Sequence, residues 1–299
     1  MAVERVVTRR NLFRYAAAGA VVASGALAGC SRTGTADSGA GGQGLLKQAK
    51  ERGYLTVGFA GEAPYAYKEG GDLTGQDPAV HREIWTSLGI KELRGVQVEF
   101  GQLIPGLNAK RFDVVAAGMF ILPERCAQAK FSAPVYVAPQ AFLVPAGNPK
   151  QITDFPSVAK SGITLGVLPG SVEASLGKKQ GVTKTVEVAS QRDGLSALKA
   201  NRIQAFALTS ISLRNMLKDN PNSGFELTEP FTPVVDGKEQ IGAGGAVFRN
   251  ESDELRMAFD RELAKLRESG KLLELIQPFG FGPETVPPAD LTTEKLCQG

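Results

Sequence analysis

Histidine is almost missing from this chain: His81 is the only one in 299 residues. No Ser/His/Asp set is recognisable, no group of Cys, His and carboxylates has metal-ligand spacing, and no G-x-x-x-x-G-K phosphate loop occurs. Neither cofactor nor metal is therefore expected. His81 falls on an expected amphipathic helix beside Trp85, where it reads as a packing residue rather than an acid–base group. Long apolar runs are lacking too. The uncharged stretch from Tyr15 to Ala28 is too short to span a hydrocarbon core of roughly 30 Å as a stable helix. Cysteines number three, and there is one tryptophan. What remains, 42% hydrophobic and 22% charged residues, suits a soluble globular body, and the length favours two lobes.

The first thirty residues are a different material. Arg9-Arg10 precede the Ala-, Gly- and Val-rich run, which ends at Leu27-Ala28-Gly29-Cys30. This is a secretory leader over residues 1–29, and its end resembles a bacterial lipobox, which implies cleavage before Cys30 and acylation of its thiol. The paired arginines resemble a twin-arginine export signal; the alternative is an ordinary leader with those arginines in its charged n-region. The leader holds four arginines and one glutamate, so removing it leaves 30 basic and 30 acidic residues of the original 34 and 31. A neutral mature chain lacks the basic face that nucleic acid requires. Residues 30–44, mostly small, polar or glycine, read as a flexible tether with a reach of roughly 20 Å.

Beyond it, strands and helices alternate. Strands are expected over 54–59, 96–100 and 112–116, and helices over 45–52, 79–88 and 103–109. A second set follows, with strands at 164–168, 185–188 and 205–208 and helices at 172–179, 192–200 and 211–217. This rhythm predicts an α/β fold with mostly parallel sheets flanked by helices. Residues 140–144 and the glycine-rich 241–248 read as two crossings between lobes. The first lobe would then comprise 45–142 and 245–299, and the second 143–244. Asp253 to Glu268 predicts an amphipathic helix stopped by Gly270.

The segments GFAGEAPYAY, LTGQD, FGQLIPGLNAKRFDVVAAGMFILPER, FSAPVY, GVLPGSVEASL and SALKANRIQAFALTS occur in that order across residues 45–281. The chain resembles the polar amino-acid type of solute-binding proteins of ABC importers. That resemblance implies a two-lobed periplasmic binding protein type II fold closing on a small zwitterionic solute, with the importer's membrane subunits as partners and a monomeric state.

Arg125 stands where this family places an arginine, whose planar guanidinium can grip a solute carboxylate with two parallel hydrogen bonds. The departures narrow the solute. Thr209 replaces the aspartate that commonly takes an α-ammonium, Phe120 replaces a small hydroxyl residue, and Glu62 lies where an aromatic is common. Glu62, Tyr65, Phe100, Gly118, Phe120 and Arg125 on the first lobe, with Ser171, Glu173 and Thr209 on the second, form the candidate site. Three aromatics suit a delocalised cation, each contributing roughly 0.5–2 kcal/mol, and Glu62 suits its N–H. Within the family the segments EFGQLIPGLNAKRFDVVAAGMF and PERC and the terminal LCQG resemble the ectoine/hydroxyectoine-binding proteins, implying a cyclic amidinium carboxylate as solute. Another zwitterion such as a cationic amino acid, opine or betaine is the alternative. So, more remotely, is a cyclohexadienyl-type dehydratase that uses Glu62 or Glu173 as proton donor. Phe100 and Phe120 also fit a core, and Glu173 a favourable first-turn acid. With Cys30 acylated, Cys126 and Cys297 are left as an even pair in an oxidising compartment, and a disulfide is expected between them, the alternative being two free buried thiols.

Overall fold

The computed structural model describes residues 43–299. The leader, most of the tether and Cys30 lie outside the described residues. Gln43 and Gly44, expected in the tether, instead open the first helix, Gln43–Arg52.

Two five-stranded sheets carry the chain. In the first, Tyr54–Phe59 pairs in parallel with Glu92–Gln97 on one side and Val114–Val115 on the other. Val247–Phe248 and then Lys130–Phe131 complete it antiparallel. Side chains alternate across a strand. Leu55, Val57 and Phe59 therefore meet Trp85, Phe248 and Phe259 on one face, while Val115, Phe131 and Val247 join Leu103, Leu107 and Phe112 on the other. Each such fully buried side chain contributes roughly 1.5–3 kcal/mol.

The second sheet runs Thr185–Glu187, Leu165–Val167, Ala205–Thr209, Gln140–Pro145, Phe225–Leu227. Phe142, Val144, Leu165 and Val167 face the helices Phe155–Ser161 and Val172–Lys179, whereas Leu143, Phe206 and Leu208 face Gln191–Lys199 and Ser210–Asp219. The α/β two-sheet architecture expected from the alternating pattern is thus present. Helices 172–179 and 253–268 keep the expected bounds. The second strand does not, running over 92–97 rather than 96–100. It is a half-exposed edge strand in which charged residues alternate with small and apolar ones, so hydrophobicity alone pointed too far along the chain.

Residues 140–144, expected as a crossing, lie in a buried strand of the second sheet, so residues 140–142 belong there rather than with the first. The crossing comes earlier, where Tyr136–Val137 pairs antiparallel with Ala243–Gly244 outside both large sheets. The glycines of that return pass serve space rather than unusual dihedrals. A Cβ on Gly244 would run into the Tyr136 ring.

Candidate functional site

The cleft between the sheets gathers its residues from strand ends and the turns after them. On the first side, the turn after Tyr54–Phe59 presents Glu62 and Tyr65, and its backbone is held by hydrogen bonds from Gln76 and Asp77 amides to the Pro64 and Tyr65 carbonyls. Phe100 opens a 3-10 turn, and Gly118 and Phe120 follow Val114–Val115. Gly118 has φ +61°, and a Cβ there would strike the Tyr65 ring, so this position admits only glycine. Its amide donates to Asp77 Oδ2 at 2.6 Å and its carbonyl accepts the Tyr136 hydroxyl at 2.7 Å. Arg125 comes from the single helical turn Pro123–Cys126, with proline at its first position. Its Nη1 donates to the Phe120 carbonyl at 2.8 Å and its Nη2 to the Gly170 carbonyl, across the cleft, at 3.0 Å. Three of its five N–H groups are left to other acceptors. Phe100 lies 5.3 Å from the guanidinium carbon, a cation–π arrangement that steadies the arginine.

From the second sheet, Leu208 and Thr209 end one strand, and Leu168, Ser171, Val172 and Glu173 form another strand-to-helix turn. All nine residues expected in the site line one small cavity, joined by Leu168, Val172 and Leu208. Three hydroxyls link its two sides. Tyr65 donates to Thr209 Oγ1 at 2.9 Å, Thr209 to Ser212 Oγ at 3.2 Å, and Ser212 to Glu62 Oε1 at 2.6 Å. Every donor in this chain points toward the carboxylate, which leaves Oε2 as the glutamate's free acceptor among the described residues. Thr209 also accepts the Ser212 amide, so its hydroxyl is saturated and its part in the cavity is to connect Tyr65 with Ser212.

Burial shapes the charges. The Glu62 carboxyl is pushed up to about 7 by desolvation, partly resisted by the Ser212 hydrogen bond. Glu173 is raised by burial as well, against hydrogen bonds from its own backbone and Ser171 and the charge of Arg125. Burial lowers Arg125, resisted by Glu173 and Glu124. One guanidinium thus shares the buried cavity with two carboxyls whose negative charge burial disfavours.

The model of bacterial extracellular solute-binding proteins, family 3, matches residues 55–283. The chain belongs to this family. Among curated relatives, the probable amino-acid ABC transporter periplasmic-binding protein y4tE of Sinorhizobium fredii is 34% identical over 84% of this chain and 85% of its own length. The lysine/arginine/ornithine-binding periplasmic protein of Escherichia coli is 29% identical over 70% of this chain and 80% of its own. Among solved structures, EhuB in complex with hydroxyectoine superposes with a TM-score of 0.79 at 33% identity, covering 86% of this chain and 98% of that one. This is therefore a solute-binding protein of an amino-acid-type ABC importer, with the type II binding-protein fold. Among the described residues no helix is long and apolar enough to cross a membrane.

Ser212 and Tyr136 escaped the sequence reading. Ser212 carries a signal in hindsight: Thr209 caps the helix Ser210–Asp219 by accepting the Ser212 amide, and that cap turns both hydroxyls toward the cleft. Tyr136 carries none, since its ring reaches Tyr65 (5.0 Å between centroids), Phe281 (5.5 Å) and Phe120 (6.1 Å) only through the crossing strand. This aromatic layer backs the cavity and adds to the three aromatics that line it.

Cys126 and Cys297 form the expected disulfide, with Cα atoms 5.7 Å apart and 171 residues of separation. It pins the terminal helix Thr293–Gln298 to the helical turn that carries Arg125. Replacing Cys297 with serine is expected to cost on the order of 2–5 kcal/mol of unfolding free energy in denaturant titration. In the folded wild-type protein neither Cys126 nor Cys297 should react with an alkylating agent until it is reduced. Alkylation of both without reductant would exclude the bridge in solution.

Proposed function

We propose that this protein captures ectoine or hydroxyectoine outside the cytoplasmic membrane and presents it to the importer. The observation that carries this reading is the lining of the cavity. Arg125, Glu62 and the rings of Tyr65, Phe100 and Phe120 line the same small cavity, with Glu62 Oε2 left free by the Ser212 hydrogen bond to Oε1. A cyclic amidinium carboxylate uses each group: its carboxylate takes the free guanidinium N–H groups, its ring N–H reaches Glu62, and its flat cation rests against the aromatic faces. A quaternary ammonium has no N–H for Glu62. The likeness to hydroxyectoine-bound EhuB supports the same reading. A solute touching both lobes favours the closed state, and the membrane subunits respond to that shape. The receptor acts as a monomer, held to the membrane by an acyl anchor on Cys30 after export.

A second reading, an arginine-type cationic amino acid, draws on Glu173, because two carboxyls against one guanidinium would also balance a solute with net positive charge. Titration calorimetry with ectoine, hydroxyectoine, arginine and glycine betaine separates the two. The ectoines should bind at least tenfold more tightly than arginine, about 1.4 kcal/mol. Tighter arginine binding would replace the first reading with the second.

A further inference from the structure

One cross-cleft contact stands outside the cavity. The Gln191 side chain pairs with the backbone of Ala63: Nε2 donates to the Ala63 carbonyl at 2.8 Å, and Oε1 accepts the Ala63 amide at 3.2 Å. A carboxamide offers a donor and an acceptor in one plane, so it can satisfy both backbone groups of one residue as an opposing strand residue does in a hydrogen-bonded antiparallel pair. Gln191 does not line the cavity. It lies in a separate groove with Gly61, Ala63 and Asn215.

Its base is firm. Gln191 opens the helix Gln191–Lys199, and Ser190 before it caps that helix by accepting the Asp193 amide while donating to Asp193 Oδ2 at 2.7 Å. Its target is specific as well. Ala63 sits between Glu62 and the Pro64-Tyr65 pair, so whatever holds the Ala63 peptide also holds the segment that carries two cavity side chains. The contact joins residues 128 positions apart, one on each side of the cleft.

We propose that Gln191 is a closure latch. It sets how firmly the lobes shut on any solute without touching the solute itself. Because it acts on the closing equilibrium, its loss weakens every solute by the same factor and leaves selectivity alone. A contact residue such as Glu62 changes the ratio between solutes instead. Two hydrogen bonds to backbone amount to roughly a tenfold bias toward closure, about 1.4 kcal/mol.

This inference rests on the solute-receptor reading but not on the identity of the solute. The test compares wild type with Gln191→Ala and with Gln191→Met, which keeps the bulk and removes the polar atoms. For each solute that wild type binds, both variants should raise Kd by about tenfold and by a common factor, mainly through faster release, with the solute-free melting temperature unchanged. In the absence of any solute, the Ala63 amide should exchange its proton faster in both variants. If wild type binds none of the four zwitterions, the proposed function fails while the amide-exchange comparison still decides the latch contact. Unchanged Kd and unchanged exchange would overturn the latch. So would a shift in the ratio of affinities, which would make Gln191 a contact residue. An effect in Gln191→Ala but not in Gln191→Met would reassign the role to packing.

Discussion

Replacing Arg125 with alanine should weaken ectoine binding by a hundredfold or more, on the order of 3 kcal/mol, because a buried charge pair then loses one partner. Arg125 is almost fully buried, and two of its N–H groups are already spent on the Phe120 and Gly170 carbonyls. Those two bonds aim the remaining N–H groups at the cavity, so the fork is set before a carboxylate arrives. Lysine at this position keeps the charge but neither the plane nor the aimed donors, and Arg125→Lys should recover less than a tenth of the lost affinity. Phe120→Ala provides the comparison for the aromatic contact with the solute cation. It removes an aromatic face without touching charge and should cost at least tenfold, with the fold retained. Calorimetry reads all three variants. Wild-type affinity in Arg125→Ala would take the carboxylate away from this residue, and equal binding in Arg125→Lys would mean that charge alone matters there.

The turn that carries Arg125 was legible because its signal is local, whereas Phe120 was singled out only as a departure from the family pattern. A glycine turn, a proline at a helical start and an arginine fall within eight residues, after a buried strand. The alternating faces of 54–59 and the apolar stripe of 253–268 were legible for the same reason: the periodicity of a regular element is written into its own residues. Two-residue strands such as 136–137 and 243–244 have no period to read, and only their partners define them. The contacts that join the lobes were least visible. Ser212 reaches Glu62 across 150 positions and Gln191 reaches Ala63 across 128, and no composition or spacing encodes such a meeting. The misplaced crossing has a related cause. Gln140–Pro145 is apolar because both faces of that strand are buried within the second sheet, and a fully buried strand looks like any apolar linker when its neighbours are unknown.

Solute affinity and intrinsic stability should respond to pH in opposite directions through one residue, Glu62. Burial holds its carboxyl at about 7 against an ordinary 4.5, so the folded protein binds a proton that the unfolded chain releases. Its share of solute-free stability is complete below about pH 4.5 and is lost as pH rises through 7, a change on the order of 3 kcal/mol. Asp77, raised to about 6 by burial behind Gly118, acts in the same sense. His81 acts in the other, since burial lowers it to about 3 and its neutral form costs stability as pH falls below 6.5. The total curve therefore conceals the Glu62 share, which emerges as the difference between wild type and Glu62→Gln. Binding runs the opposite way. A cationic solute needs the carboxylate, and below pH 7 its arrival must expel the proton, so affinity should fall by up to tenfold for each unit between pH 7 and 5.5. In Glu62→Gln that proton is gone, so binding should be weak and its pH slope reduced to the share of Glu173, which burial also raises. Denaturant titrations and calorimetry at pH 5.5, 6.5 and 7.5 on both proteins provide the comparison. A wild-type affinity that does not change with pH, or a Glu62→Gln variant that keeps the full slope, would remove Glu62 from contact with the solute cation and leave the hydroxyl chain from Tyr65 through Thr209 and Ser212 as a purely structural clasp.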